Sequence, residues 1–420
     1  MRVVVAGAGI VGTTVAWRAA QAGHDVTLVD DGAPGAWQVA AGMLAGVLEA
    51  GAGEHDRVAL AAAGAARWRT DGDELAAAGG TDLDVGRRGT VLVARTDDDL
   101  AVLRETLAVQ RDLGLEVAPL RARDCRSREP GLHPRVRGGI LTDDQHVDPR
   151  RVVAAARTAA AAAGARTVAG RVAAVAADPV EAAEAPSVAT SARAVAGVLL
   201  DDGTWVAADT VVIAAGWRSS HLAGVPAPQR SAVRPVKGQL LVLRSAPDDA
   251  LPVRAAVRGL VRGRAMYLVP RRDGRLIVGA TEEERGEDTT VTAGGLRVLL
   301  DAASELVPGV DELIVDEALA GLRPGSRDGR PLIGATSRPG LLLAAGHHRD
   351  GVLLSLLTAD AIVDQLAGRV PDPAVACADP RRFDPAVAHT DLHRPDPHGS
   401  ARGRAGRLDA TAPPGGLPWN

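Results

Sequence analysis

With 420 residues the chain can bury large cores and form two domains, and a formal net charge of −4 gives no basic excess that would point to nucleic acid or an acidic membrane. No uninterrupted apolar span is long enough to cross a bilayer. The two cysteines, Cys125 and Cys377, lie far apart without metal-ligand neighbours, which argues against a disulfide framework or a zinc site and fits a reducing compartment.

The chain opens MRVVVAGAGIVGTTVAWRAAQAGHDVTLVD. Arg2 to Ala6 reads as a buried β-branched strand, followed at once by Gly7-Ala8-Gly9-Ile10-Val11-Gly12. A helical stretch places Val15, Ala16, Ala19 and Ala20 on one face, and a second strand, Val26 to Val29, ends at Asp30. Strand, glycine turn, helix, strand and acid form the dinucleotide fingerprint in its proper context. Gly7 permits the tight turn, Gly9 the approach of pyrophosphate and Gly12 the close helix–strand contact. Asp30 is placed to accept from ribose hydroxyls. Arg2 followed by an apolar run imitates a secretory signal. The glycine spacing and the acid-terminated strand fit the fingerprint better, so the segment is expected to be folded, retained and cytoplasmic.

The loop from Asp31 to Gly53 carries Ala40-Ala41-Gly42-Met43-Leu44. Asp56 to Ala77 reads as helix, Gly86 to Val93 as strand and Asp97 to Leu113 as helix with acids in its first turn. Asp148-Pro149 starts a helix running to about Ala163, with proline near the first helical position. Arg166 to Val175 and Val195 to Leu200 read as two strands around a floppy insertion, Asp178 to Ser191. Thr210 to Gly216 is a buried strand breaking at glycine. Val233 to Thr281 is strand-rich, with a hairpin turning at Arg272-Asp273-Gly274, and Ala293 to Leu306 is a helix. Two arginines, Arg323 and Arg349, fall in glycine-punctuated loops on either side of an apolar strand, Leu341 to Ala345. Arginine forks onto a carboxylate through two hydrogen bonds. The second loop, Gly346 to Gly351, runs into Val352-Leu353-Leu354, read as the start of a buried helix whose N–H groups face an electron-rich ligand. After Val370 the composition suggests disorder. The expected fold class is α/β (α+β overall): a Rossmann-like cofactor domain from residues 1–85, 135–225 and 315–370. An antiparallel-sheet substrate domain comes from 86–134 and 226–314, and 371–420 is a disordered tail.

AAGMLA at 40–45, RPVKGQ at 234–239, MYLVPR at 266–271, VGAT at 278–281, GLRPGSRDGRPLIG at 321–334 and AGHHRDGVLL at 345–354 resemble the glycine oxidases of thiazole (thiamine) biosynthesis. These belong to the D-amino-acid oxidase group of FAD enzymes. The resemblance covers about residues 1–368. It implies dissociable FAD, because no cysteine stands near Gly321, where sarcosine oxidases link the flavin. Gly7, Gly9, Ile10, Val11, Gly12, Asp30 and Asp31 would serve the adenosine and pyrophosphate side. Ala41, Gly42 and Met43 would run beside the flavin ring, and Val172 would meet the adenine. Gly216 and the segment His347, His348, Arg349, Asp350, Gly351, Val352 and Leu353 would complete the cofactor site.

Arg323 and Tyr267, the only tyrosine of the chain, would take the substrate carboxylate, with Arg349 closing the pocket. Lys237 reads as a solvated or structural lysine. The chain departs from the family at His348, where an aromatic is usual, and at Asp350, where asparagine is usual. The implied reaction is oxidative deamination of glycine with oxygen, releasing hydrogen peroxide and leaving an imine that feeds thiazole formation. A homo-oligomer, as in the tetrameric relatives, is expected, and no metal. A sarcosine or D-amino-acid oxidase or dehydrogenase, an NAD-dependent dehydrogenase and a non-catalytic flavoprotein are the competing readings.

Overall fold

A computed structural model of the chain describes residues 1–45, 55–112, 115, 117–184 and 193–385. Along Arg2–Ala6, Val3 and Val5 enter one hydrophobic cluster while Val4 and Ala6 enter another. A strand covered on both faces needs such an unbroken apolar run. It lies inside a six-stranded sheet ordered Leu332–Ala335, Leu341–Ala345, Thr210–Ile213, Arg2–Ala6, Asp25–Asp30, Arg166–Ala169. Every neighbouring pair is parallel except the first. Helices Ile10–Gln21, His55–Gly79, Pro149–Ala162 and Ser355–Leu366 cover one face. A three-stranded sheet, Trp205–Ala207, Gly197–Leu200 and Val172–Ala176, covers the other. Strand order reverses at Arg2–Ala6, and such a switch point opens a crevice at the carboxyl ends of the strands.

The second large sheet has eight strands: Ile314–Ser326, Val233–Arg244, Arg275–Gly279, Arg264–Pro270, Ala256–Val261, Thr90–Ala94, Gly138–Thr142 and Ala118–Arg121. It is antiparallel except where Ala256–Val261 meets Thr90–Ala94. Leu299, Ala303 and Leu306 of helix Ala293–Leu306 pack on one face against Val257, Leu268 and Val278. On the other face Leu240, Val242, Val269 and Ile277 cluster with Ala41, which brings the sheet against the loop that leaves the first sheet. The hairpin turns at the expected place, with Gly274 at φ +83°.

Several expectations need correction. Arg166 to Val175 is two strands in different sheets, broken at Gly170 with φ +152°. The strand expected from Gly86 begins at Thr90. Part of the supposed floppy insertion is helix, Pro179–Glu184, because Asp178 accepts from Glu181 N (2.9 Å) and Ala182 is buried; 185–191 lie outside the described residues. Gly138–Thr142 and Ile314–Ser326, assigned from sequence to the cofactor segments, pair into the eight-stranded sheet. Hydrogen bonding along the whole of Val233–Arg244 decides the latter. The chain past 370 stays ordered through short 3-10 helices at Pro373–Ala378 and Pro380–Phe383, started by the carboxylates of Asp372 and Asp379. Its proline and aspartate content marks caps, and Val375 and Ala378 are buried. Residues 386–420 lie outside the described residues. The last large helix begins at Ser355, and Val352-Leu353-Leu354 are turns leading into it.

Candidate active site

At the carboxyl end of Arg2–Ala6 the backbone does the work. Gly7 takes φ +103°, and a Cβ there would stand 2.6 Å from the Ala214 carbonyl oxygen. A Cβ on Gly12 would run into the Gly7 carbonyl, so this glycine lets the helix approach the strand. Gly9 caps helix Ile10–Gln21 with no side-chain hydrogen bond and no acid in the first turn. Such an N-terminus offers its N–H groups and the positive helix end to an anion. Asp30 accepts from Ala8 N (3.3 Å) and from Arg157 Nη2 (3.1 Å), which also donates to the Ala8 carbonyl (3.0 Å). Asp31 accepts from Ala33 N and Arg171 Nε, both at 3.0 Å. Burial pushes its carboxyl up, but these hydrogen bonds and the Arg171 and Arg218 charges carry it below its ordinary value.

Ala41 to Met43 form the bridge between the sheets. Gly42 takes φ +69°, and a Cβ would enter the Pro149 ring at 2.9 Å. The loop is braced from behind by Arg271, a buried side chain donating to the Ala41 carbonyl (2.6 Å), with Nη1 3.2 Å from His146 Nδ1. Burial, with the Arg271 charge, pushes His146 down to about 3, so its ring stays neutral.

Tyr267 and Arg323 come from the eight-stranded sheet. Tyr267 lies across Gly279, its register partner, where a Cβ would stand 2.5 Å from the Tyr267 Cζ. Arg323 belongs to the strand Ile314–Ser326 and not to a loop. Its guanidinium lies over Gly238, where a Cβ would again be 2.5 Å from Cζ, and Nη1 donates to the carbonyls of Thr281 (3.1 Å) and Lys237 (3.4 Å). Two strand glycines thus let a phenol and a guanidinium lie flat on one sheet face. Lys237 is the structural alternative: buried, with Nζ 2.7 Å from Asp288 Oδ2.

Arg349 donates through Nε (3.0 Å) and Nη2 to Glu282 Oε2, and His348 Nε2 is 3.9 Å from the same oxygen. Burial raises the Glu282 carboxyl, but Arg349, His348 and Arg323 together bring it below its ordinary 4.5. His348 sits at φ +49°, and its N–H donates to the Pro324 carbonyl (2.8 Å), tying this turn to the strand of Arg323. His347 turns inward, with Nε2 2.9 Å from Thr358 Oγ1, and burial pushes it down to about 4.

One cavity of about 920 Å³ joins these parts. Its wall includes Gly7, Gly9, Ile10, Val11, Asp30, Asp31, Ala41, Gly42, Met43, Val172 and Gly216, and at the other end Tyr267, Arg323 and the segment His347 to Val352. Gly12 and Leu353 are off the wall; Leu353 is 2% exposed and belongs to the helical core. Sequence reasoning did not single out Trp37, Arg157, Arg258, Gly238, Gly279 or Glu282. The two glycines carried a usable signal, since glycine inside a strand marks a close approach. Among the described residues no cluster could hold a metal ion, and no helix is long and apolar enough to cross a membrane.

Residues 2–365 match the family described as FAD dependent oxidoreductase (DAO). The chain belongs to this family. It is 30% identical to the glycine oxidase of Geobacillus kaustophilus over 368 residues, 86% of this chain and 92% of that one. The crystal structure of glycine oxidase from Geobacillus kaustophilus superposes with a TM-score of 0.78 at 29% identity, covering 91% of this chain and 99% of that one. The bifunctional protein ThiO/ThiG of Synechocystis is 34% identical over 259 residues, 61% of this chain but only 36% of that longer protein. The cofactor is therefore FAD, and the residues fit it. A helix N-terminus with no side-chain cap suits the pyrophosphate, Asp30 suits ribose, and the glycine turns leave a cavity that side chains would otherwise fill.

Proposed function

We propose that this family member oxidises the amine of glycine, or of an amino acid of similar size, with oxygen as final acceptor. Glycine and oxygen give iminoacetate and hydrogen peroxide. The imine hydrolyses to glyoxylate and ammonia unless it is consumed in thiazole formation. The similarity to glycine oxidases over most of both chains supports this reading. The observation that carries it is the placement of Tyr267 and Arg323 on one cavity face, each seated on a strand glycine and open to the bridge at Ala41 to Met43.

In this reading the Arg323 guanidinium binds the substrate carboxylate, and the Tyr267 hydroxyl donates a second hydrogen bond. The Thr281 and Lys237 carbonyls hold the guanidinium in place, which limits the entropy lost on binding. The α-carbon is thereby presented to the cavity at the Ala41–Met43 bridge. Bound FAD supplies the hydride acceptor. No side-chain base is needed when the amine arrives neutral. Arg349, its charge balanced by Glu282, closes the opposite side and excludes water. The test is anaerobic titration of the purified protein with glycine while following flavin absorbance. Bleaching that air reverses, with peroxide release, is the expected result. A spectrum that neither glycine nor sarcosine changes overturns the proposal.

A further inference from the structure

Arg258 has no role in binding glycine as described above, yet it stands on the same cavity wall. It is 3% exposed, on the strand Ala256–Val261, and its register partner across the sheet is Tyr267. Directly opposed residues of an antiparallel pair project from the same face. Arg258 and Tyr267 therefore look into one space. The order of strands sets Arg323 and Arg258 on opposite sides of Tyr267. Arg323 lies over Gly238 and the Tyr267 ring over Gly279, so the two side chains lean toward each other, and the Tyr267 ring leans away from Arg258. The floor left between Tyr267 and Arg258 is low, because Ala265, two residues before Tyr267 and on its face, has only a methyl group and also lines the cavity. From the strand of Gly238 to that of Arg258 is three strand spacings, about 14 Å. Glycine alone cannot fill that lane.

A guanidinium keeps its charge under any burial a protein imposes. Placed on a cavity wall out of bulk water, it attracts an anion more strongly than a surface arginine does. Asp144 is the buried acid whose carboxyl feels the Arg258 charge. Burial still pushes that carboxyl up to about 6, and Asp144 donates nothing to the cavity, since it is not on its wall.

We propose that Arg258 forms a second anion subsite, so that the site takes small amino acids carrying a distal anionic group in addition to the carboxylate held by Arg323. The inference rests on the amine-oxidase reading above. The class is defined by two anionic ends joined by a short chain, the amine lying between them or beside one of them. Arg258 acts on specificity and takes no part in the transfer of hydride.

The test uses FAD-loaded enzyme and two unreactive ligands, read by perturbation of the flavin spectrum. Oxydiacetate has two carboxylates; methoxyacetate has the same chain with a neutral end. The parent enzyme should bind oxydiacetate at least about tenfold more tightly, as one charge-assisted contact implies. That advantage should vanish in R258M and be partly kept in R258K. Equal binding of the two ligands by the parent, or an undiminished advantage in R258M, overturns the proposal. If R258M does not hold FAD, R258Q replaces it and R258K remains the charge-retaining control. A merely structural arginine would weaken both ligands alike and leave their ratio unchanged. Turnover then locates the distal group. Iminodiacetate against sarcosine asks whether it is reached through nitrogen, and D-aspartate against D-alanine whether it is reached through the α-carbon. An Arg258-dependent preference in either pair supports the subsite, and its absence from both overturns it. Failure of the amine-oxidase reading would look different: sarcosine and glycine would both leave the flavin unbleached.

Discussion

The substitution Gly238→Ala separates positioning from chemistry at the proposed carboxylate anchor, Arg323. A Cβ at this position would lie 2.5 Å from the Arg323 Cζ, whereas nonbonded carbons settle at about 3.5–4.0 Å. The guanidinium must therefore lift by about 1 Å, which breaks its geometry with the Thr281 and Lys237 carbonyls. A displacement of that size costs roughly 100-fold in rate, equivalent to about 2.7 kcal/mol. We expect kcat/KM for glycine, from oxygen uptake, to fall by about that factor, with FAD content and melting temperature close to the parent. Arg323→Ala should raise KM by orders of magnitude with FAD still bound. The decisive measurement is the double variant. If the new methyl acts only through Arg323, adding Gly238→Ala to Arg323→Ala should cost less than about twofold, since coupled sites are non-additive. A full 100-fold loss in both backgrounds, or Gly238→Ala as active as the parent, would refute the reasoning.

Tyr267→Phe removes one hydrogen bond to a charged group, about 1.5–3 kcal/mol, so kcat/KM for glycine should drop about 10- to 100-fold with an unaltered flavin spectrum; a change under twofold removes Tyr267 from the anchor. Gly12→Ala drives a methyl into the Gly7 carbonyl, and the protein should purify largely without FAD; full flavin occupancy would contradict the packing argument. His347 is held neutral, at about 4, against 6.5 in the unfolded chain, so between these values the unfolded state binds more protons and stability falls as pH falls. Going from pH 7 to 5, His347→Gln should lose about 2 kcal/mol less unfolding free energy than the parent, from urea titrations of the holoenzyme; parallel slopes would sink the assignment.

The cofactor half was legible because its requirements are local. Gly7, Gly9, Gly12 and Asp30 occur within one strand–turn–helix–strand passage, so their spacing carries the geometry. That Tyr267, Arg323 and Arg349, the proposed substrate residues, share one cavity was legible only through motifs. Arg323 was read as a loop residue because glycine and proline flank it, yet those residues lie within a long strand paired to Val233–Arg244. Pairing between segments some 90 residues apart leaves no local mark. Arg258 and Glu282 were missed for the same reason. Each gains its meaning from a neighbour on another strand or turn: Tyr267 for Arg258, Arg349 for Glu282. The first part of the tail, 371–385, shows the reverse error. Asp372-Pro373 and Asp379-Pro380 are cap-and-start signals for short helices, and composition alone took them for disorder.

The charges at the substrate end assign its arginines different work. Arg349 is bound to Glu282, so this pair adds little net attraction for an incoming carboxylate. Arg323 is held by backbone carbonyls, which orient its charge without neutralising it. The anchor is therefore expected to be Arg323, with Arg349 acting as a wall whose position depends on the turn at His348. That turn is fastened to Pro324, the residue after the anchor, by the His348 N–H. A shift of the Arg323 strand thus carries the wall with it. The two sides of the substrate space are mechanically one unit, although in sequence they are separated by the whole strand Leu341–Ala345 and its antiparallel neighbour.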